Sequence, residues 1–220
     1  MNLTLKLKTN KCLFKRKIMK TGIIILLMLL SFSVAAENGN VALEPGDNAV
    51  LTNAKMLDIS GKTVSINDAK KENGILVLFS CNTCPFVHRW EGRYPDIKKW
   101  ADKNGVGMIV LNSNYRNREN GESYEEMKQH ANQKNYNFYY VVDKESQIAN
   151  AFGGQVTPHA FLFNSDLKLV YKGAIDDNYE SESDVKEAYL KNAIGSLGNN
   201  ESIAVTETKP TGCGIKRKLD

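Results

Sequence analysis

The stretch Ile75-Leu76-Val77-Leu78-Phe79-Ser80-Cys81-Asn82-Thr83-Cys84-Pro85-Phe86-Val87 decides how this chain is read. The uninterrupted apolar run from Ile75 to Phe79 describes a strand buried on both faces, as in an α/β sheet. After it, Phe86, Val87, Trp90 and Tyr94 recur at helical spacing, and Pro95 kinks or restarts a helix that continues through Ile97 and Trp100. Between strand and helix stand two cysteines three positions apart. A sulfur at such a junction lies beside the unpaired N–H groups of a helix start, where the dipole favours an anion. There a thiol falls from a pKa of roughly 8.5 into a range of about 3.5 to 7.5. Cys81 is then the nucleophile that attacks a substrate disulfide, and Cys84, one turn on, resolves the mixed disulfide. Asn82, Thr83 and Pro85 carry no charge and do not say whether the pair reduces, oxidises or isomerises.

Working back to the N-terminus gives the compartment. Lys6, Lys8, Lys11, Lys15, Arg16, Lys17 and Lys20 precede an apolar run beginning at Gly22, and small residues follow at Val34-Ala35-Ala36. This is the layout of a secretory signal over residues 1–36, with Met19 as an alternative start and cleavage expected after Ala36. The run is short for a bilayer span, which needs roughly 20 apolar residues, so no stable membrane association is expected once the signal is removed. The whole chain carries 29 Lys+Arg against 25 Asp+Glu, but the seven cations of residues 1–36 face no acid there, leaving the remainder at −3. That balance offers no electrostatic footprint for nucleic acid. Cys12 goes with the signal, and Cys81, Cys84 and Cys213 stay, an odd number in an oxidising, periplasmic or otherwise exported location.

Working forward gives the architecture. Residues 37–50 form a polar leading segment, and 55–59 with 63–66 suggest a small hairpin around Ser60-Gly61-Lys62. Val106 to Leu111 reads as a second buried strand, and Ser123 with Glu126 as a capping box opening a helix to about Lys134. Then come a strand at 138–142, a short helix at 145–152, the break Gly153-Gly154, an antiparallel hairpin at 160–163 and 169–172, and a helix from about Ser183 to Leu197. Alternating strands and helices that end in a hairpin and a helix describe a mixed-sheet α/β domain over 51–200, with 201–220 as a C-terminal tail. Trp90 reads as core, and Glu91, Arg93 and His130 as solvated faces.

The dithiol, together with Val156-Thr157-Pro158 ahead of a strand, resembles the thioredoxin superfamily. The resemblance implies a thioredoxin-like fold, a central mixed β-sheet flanked by helices with an N-terminal β-hairpin extension. It also implies a cis Pro158 facing the dithiol and a Thr157 backbone that pairs with an incoming peptide strand. An ordinary trans turn proline is the alternative. Asp58-Ile59-Ser60-Gly61-Lys62, the cysteine motif and Tyr171-Lys172-Gly173-Ala174-Ile175-Asp176-Asp177 are similar to the redoxin group that includes alkyl-hydroperoxide-reductase-like proteins. The ending Gly212-Cys213-Gly214-Ile215-Lys216 resembles a subgroup closing on Gly-Cys-x-Ile-Lys. Two residues depart from these patterns: Ser80 stands where a Trp often precedes the first cysteine, and Arg217 where the subgroup carries an aromatic. The peroxiredoxin pattern Pro-x-x-x-Thr-x-x-Cys is missing as well, with Gly74 and Leu78 in its places before Cys81, and Val77 and Cys81 before Cys84.

The expectation is an exported thiol–disulfide oxidoreductase that needs no cofactor, whose partners are a protein disulfide or dithiol and an upstream electron donor. Cys213 is a candidate third thiol, either relaying electrons or holding a partner, or else an inert small hydrophobe. The rival readings are a peroxiredoxin-like antioxidant and a copper carrier, in which His88 or His159 joins the two thiolates.

Overall fold

The computed structural model describes residues 42–219, so the expected export segment, 1–36, lies outside the described residues. A seven-stranded mixed sheet forms the centre, in the order β2-β1-β5-β4-β3-β7-β8. Its strands are β1 (Met56–Asp58), β2 (Thr63–Val64), β3 (Gly74–Ser80), β4 (Val106–Asn112), β5 (Tyr139–Val142), β7 (His159–Asn164) and β8 (Leu169–Gly173). β3, β4 and β5 run parallel, whereas β7 and β8 extend the sheet antiparallel on one side and β1 and β2 on the other. The expected hairpin is therefore part of the main sheet, because β1 pairs with β5 through Leu57 and Val142.

The run Ile75 to Phe79 is buried on both sides for the reason its composition suggests. Leu76 and Leu78 pack with Trp90, Tyr94, Ile97 and Leu190, while Ile75, Val77 and Phe79 pack with Ile66, Ile148, Phe152 and Phe161. The first face is covered by α2 (Pro85–Trp90), α3 (Tyr94–Lys103), α4 (Tyr124–Gln133) and α6 (Tyr189–Gly198); the second is covered by α1 (Ile66–Ala69) and α5 (Gln147–Phe152). Alternate residues of one strand thus serve two cores, the period-2 consequence of the pleat.

The capping signal at Ser123 works as read, and a second box that was not read opens α1. Ser123 accepts the Glu126 N–H while the Glu126 side chain accepts the Ser123 N–H, and Ser65 with Asp68 does the same for α1. The last helix departs from expectation: residues 182–184 form only a 3₁₀ turn and α6 starts at Tyr189. The helix after the dithiol breaks at a 3₁₀ turn, Glu91–Arg93, and restarts with Pro95 in the first turn of α3, where a missing N–H costs nothing.

The segments on either side of the domain also join it. Leu43, Gly46 and Ala49 donate backbone N–H groups to Phe152, Leu169 and Leu167. The segment read as a tail returns along β8, where Lys172 N–H donates to Thr206 and Thr208 N–H to Lys172. It ends in β9 (Cys213–Gly214), which pairs antiparallel with β6 (Val156–Thr157). Among the described residues, no helix is long and apolar enough to cross a membrane.

Candidate active site

β3 delivers Cys81 at its C-terminal end, and Cys84 is the N-cap residue of α2, whose first helical residue is Pro85. Both are buried, at 1% and 4% exposure, and cluster with Val87 under Phe86 and Cys213. Thr157 closes the pocket from the other side. Its Oγ1 lies 3.3 Å from the Cys81 sulfur, and its carbonyl oxygen accepts from the Cys84 thiol at 3.2 Å. The Thr157–Pro158 peptide is cis, and Pro158 is buried beside these contacts.

The structure thus gathers Cys81, Cys84, Thr157, Pro158 and Cys213. Cys213 arrives by strand pairing, since β9 sets it opposite Thr157 and Gly214 opposite Val156, and Ile215 N–H donates to Gln155 at 3.1 Å. Gly212 permits the approach: a Cβ there would stand 2.3 Å from the Thr157 carbonyl oxygen, inside any real contact. The backbone edge expected to receive a substrate strand is occupied by the chain's own β9.

The helix-start donors go to other sulfurs than expected. The N–H of Val87 serves Cys84 and that of Phe86 serves Cys213. The N–H groups of Asn82 and Thr83, next to Cys81, are instead given to the carboxylate of Glu122, at 2.8 and 3.0 Å. Cys81 is accordingly pushed up, first by its hydrogen bond to Cys84, then by burial and the Glu122 charge. Cys84 is pulled down to about 4, chiefly by the hydrogen bond from Cys81, against its own burial and with help from Cys213. The Thr157 carbonyl beside Cys84 favours a proton on that sulfur, so the easy ionisation belongs to the pair: one proton leaves readily because the other S–H binds the resulting thiolate.

Glu122 is the residue that the sequence reading passed over. It is fully buried, accepts from Thr83 Oγ1 at 2.6 Å and Asn112 Nδ2 at 2.6 Å, and so ties the dithiol loop to the end of β4. Tyr140 donates its hydroxyl to Asn82 Oδ1 at 2.8 Å, fixing the same loop from β5. Arg118 is turned inward and donates to Asn112 Oδ1 and the Glu122 carbonyl. The local signal is Gly121, with φ +91° and no room for a Cβ against Thr83, which marks a backbone forced close to the dithiol.

Both histidines considered as metal ligands are engaged elsewhere. His88 Nε2 bonds the Asn82 carbonyl, and His159 is buried and accepts the Gln155 N–H through Nδ1 at 3.2 Å. Glu91 and Arg93, expected on a solvated face, are buried. His130 and Lys134 pair with Glu91, and Arg93 pairs with Asp176, which also takes Trp90 Nε1 at 3.0 Å.

The family described as AhpC/TSA matches residues 45–172. No curated protein matches the chain. A solved structure of a hypothetical protein from Sinorhizobium meliloti 1021 is similar at 26% identity and a TM-score of 0.72, over 82% of this chain and 98% of that one. Peroxidoxin BcpB from Mycobacterium tuberculosis is similar at 13% identity and a TM-score of 0.55, over 73% and 99% of the respective chains. The C-terminal domain of a candidate thiol–disulfide oxidoreductase from Bacteroides thetaiotaomicron is similar at 19% identity and a TM-score of 0.55, over 71% and 97%. The last two likenesses speak for the thioredoxin-like fold alone.

Proposed function

The chain belongs to the AhpC/TSA family, and from that membership together with its sulfur cluster we propose that it is an exported thiol–disulfide oxidoreductase working by exchange through Cys81 and Cys84. The observation that carries this reading is the buried cluster of the two sulfurs, each touching one polar group of Thr157, with Cys84 drawn down to about 4 beside its neighbour. A thiolate held beside a second thiol is what forming and breaking a disulfide requires. Thr157 belongs to the same machinery, because its hydroxyl and carbonyl each touch one of the two sulfurs. Pro158 sets the bend that presents them. Export rests on the basic and apolar pattern of residues 1–36.

Peroxide reduction is the weaker reading, because the position three before Cys84, where that chemistry places a hydroxyl, is Cys81 itself. Equilibrating the protein in graded redox buffers and counting free thiols by mass tests the proposal. One two-electron couple at Cys81/Cys84 is expected, lost in both Cys81→Ser and Cys84→Ser. A pair that stays reduced at every poise, or a protein that turns over hydrogen peroxide with Cys81 removed, would overturn it. A couple near −270 mV marks a reductant, and one near −120 mV marks an oxidant.

A further inference from the structure

Three thiols meet at this site, and the dithiol chemistry proposed above uses only two. Cys81 and Cys84 are buried, whereas Cys213 is only partly covered. Cys213 packs against the cluster of Cys81 and Cys84, and the carbonyl that accepts from the Cys84 thiol belongs to Thr157, the residue that β9 sets opposite Cys213. β9 holds Cys213 by strand pairing, and Gly212 against Thr157 and buried Ile215 fix the segment on either side of it.

Resting on that dithiol reading, we infer that Cys213 is a third redox-active thiol, the sulfur through which an external thiol exchanges electrons with the buried Cys81–Cys84 pair. With that pair oxidised, the Cys213 thiolate attacks the Cys84 sulfur. The Cys81–Cys84 bond breaks, the Cys84–Cys213 bond forms, and Cys81 leaves as a thiolate that takes up the proton Cys213 released. The disulfide now lies at the surface. A thiolate of a donor dithiol attacks the Cys213 sulfur and expels Cys84, and the donor's second thiol then displaces Cys213 to close the donor disulfide. Two electrons have passed from the donor to Cys81 and Cys84, and Cys213 ends as it began. Run backwards, the same steps let the reduced pair reduce an outside disulfide.

Two properties of the site suit this route. Attack on a disulfide is faster when the departing thiol is the more acidic one, and the sulfur that departs in the donor's step is Cys84, drawn down to about 4. Cys213 is held up to about 11 in the reduced site, by burial and then by its hydrogen bond to Cys84. Once Cys84 is bound to Cys81 that thiolate is gone, and Lys216, which favours the Cys213 anion, remains. Cys213 is thus restrained while the pair is reduced and released when it is oxidised. The filled edge of Thr157 gives the route its purpose, because a partner meets β9 before it can reach either inner sulfur.

The test uses the full chain, oxidised with glutathione disulfide and then re-reduced with dithiothreitol, the Cys81–Cys84 disulfide being followed by differential alkylation and mass. Cys213→Ser is expected to slow re-reduction about tenfold while the couple's equilibrium potential stays in place. Re-reduction within twofold of the wild-type rate would overturn the inference and leave the dithiol reading standing. A wild-type chain that never forms Cys81–Cys84 would overturn both. A second variant guards against loss of folding in the first: Cys81→Ser in glutathione disulfide should yield a Cys84–Cys213 disulfide in the non-reduced peptide map. Recovery of glutathione on Cys84 with Cys213 free would refute the relay.

Discussion

Glu122 shows how one side chain sets the chemistry of another without touching its sulfur. Its oxygens take the N–H groups of Asn82 and Thr83, so the loop amides that would calm a Cys81 thiolate serve a carboxylate, whose charge then opposes that thiolate. Glu122→Gln keeps the size and removes the charge. The upper ionisation of the dithiol is expected to fall by roughly one unit, as the loss of one nearby like charge implies. At a pH above that ionisation, where both thiolates form, a more stable thiolate stabilises the reduced form, so the couple measured there should become less negative by on the order of 30 mV. Thiolate absorbance against pH and redox-buffer equilibration read the two shifts, and an unmoved upper ionisation would remove Glu122 from the electrostatics of the site. This role was not legible in the sequence. The carboxylate serves residues about 40 positions away, and local periodicity carries no trace of such a pairing. The cysteines announced themselves because their spacing is local.

Among elements, the junction of α2 with α3 buries a charged pair. Arg93 and Asp176 are 7% and 5% exposed in their side chains, and Trp90 adds its N–H to the same carboxylate. Removing one member of a buried pair strands the other, at a cost of about 3 to 5 kcal/mol. Asp176→Ala should therefore lower the unfolding free energy by that much, read as a lower urea midpoint with an unchanged slope, since the same surface is exposed on unfolding. A loss under 1 kcal/mol would mean that Arg93 finds water or another acid. The helical spacing read Trp90 correctly and missed Arg93, because a charged residue at an inward position reads as outward until its partner is known. Asp176 comes from a loop more than 80 positions further on. The start of α6 falls later than the expected Ser183 because the turn there closes as 3₁₀ and the apolar face gathers only from Leu190. β3 could be read nearly residue for residue, because burial on both faces leaves its mark in consecutive positions.

For the whole molecule, acid should act through His159 before it reaches the carboxylates. Burial, and then Lys172, holds His159 down to about 3, against an unfolded value of 6.5. The folded chain thus refuses a proton that the unfolded chain accepts. Its contribution is complete above pH 6.5 and drains away as pH falls towards 3. Between pH 6.5 and 5 the loss is about 2 kcal/mol at the linkage slope of one proton. Urea midpoints at pH 7 and 5 should differ accordingly, and the difference should shrink in His159→Gln; an equal difference in both proteins would place the sensitive group elsewhere. Glu91 adds a later loss, since its ion pairs with His130 and Lys134 outweigh burial and hold it at about 2, below its usual 4.5. The sheet order was legible only in outline, because strand composition tells which strands are interior and not which are neighbours. Cys213 could be read as a candidate third thiol, but a tail of polar composition gave no sign that it would pair with β6.

The pairing of β6 with β9 also orders events in time. Cys213 follows Thr157 by 56 positions, and synthesis adds about 5 to 20 residues each second. For roughly 3 to 11 seconds after Thr157 has been made, the segment that will pair with it and cover the inner sulfurs does not yet exist. Every newborn copy therefore passes through an interval in which its dithiol is as open to strangers as it will ever be.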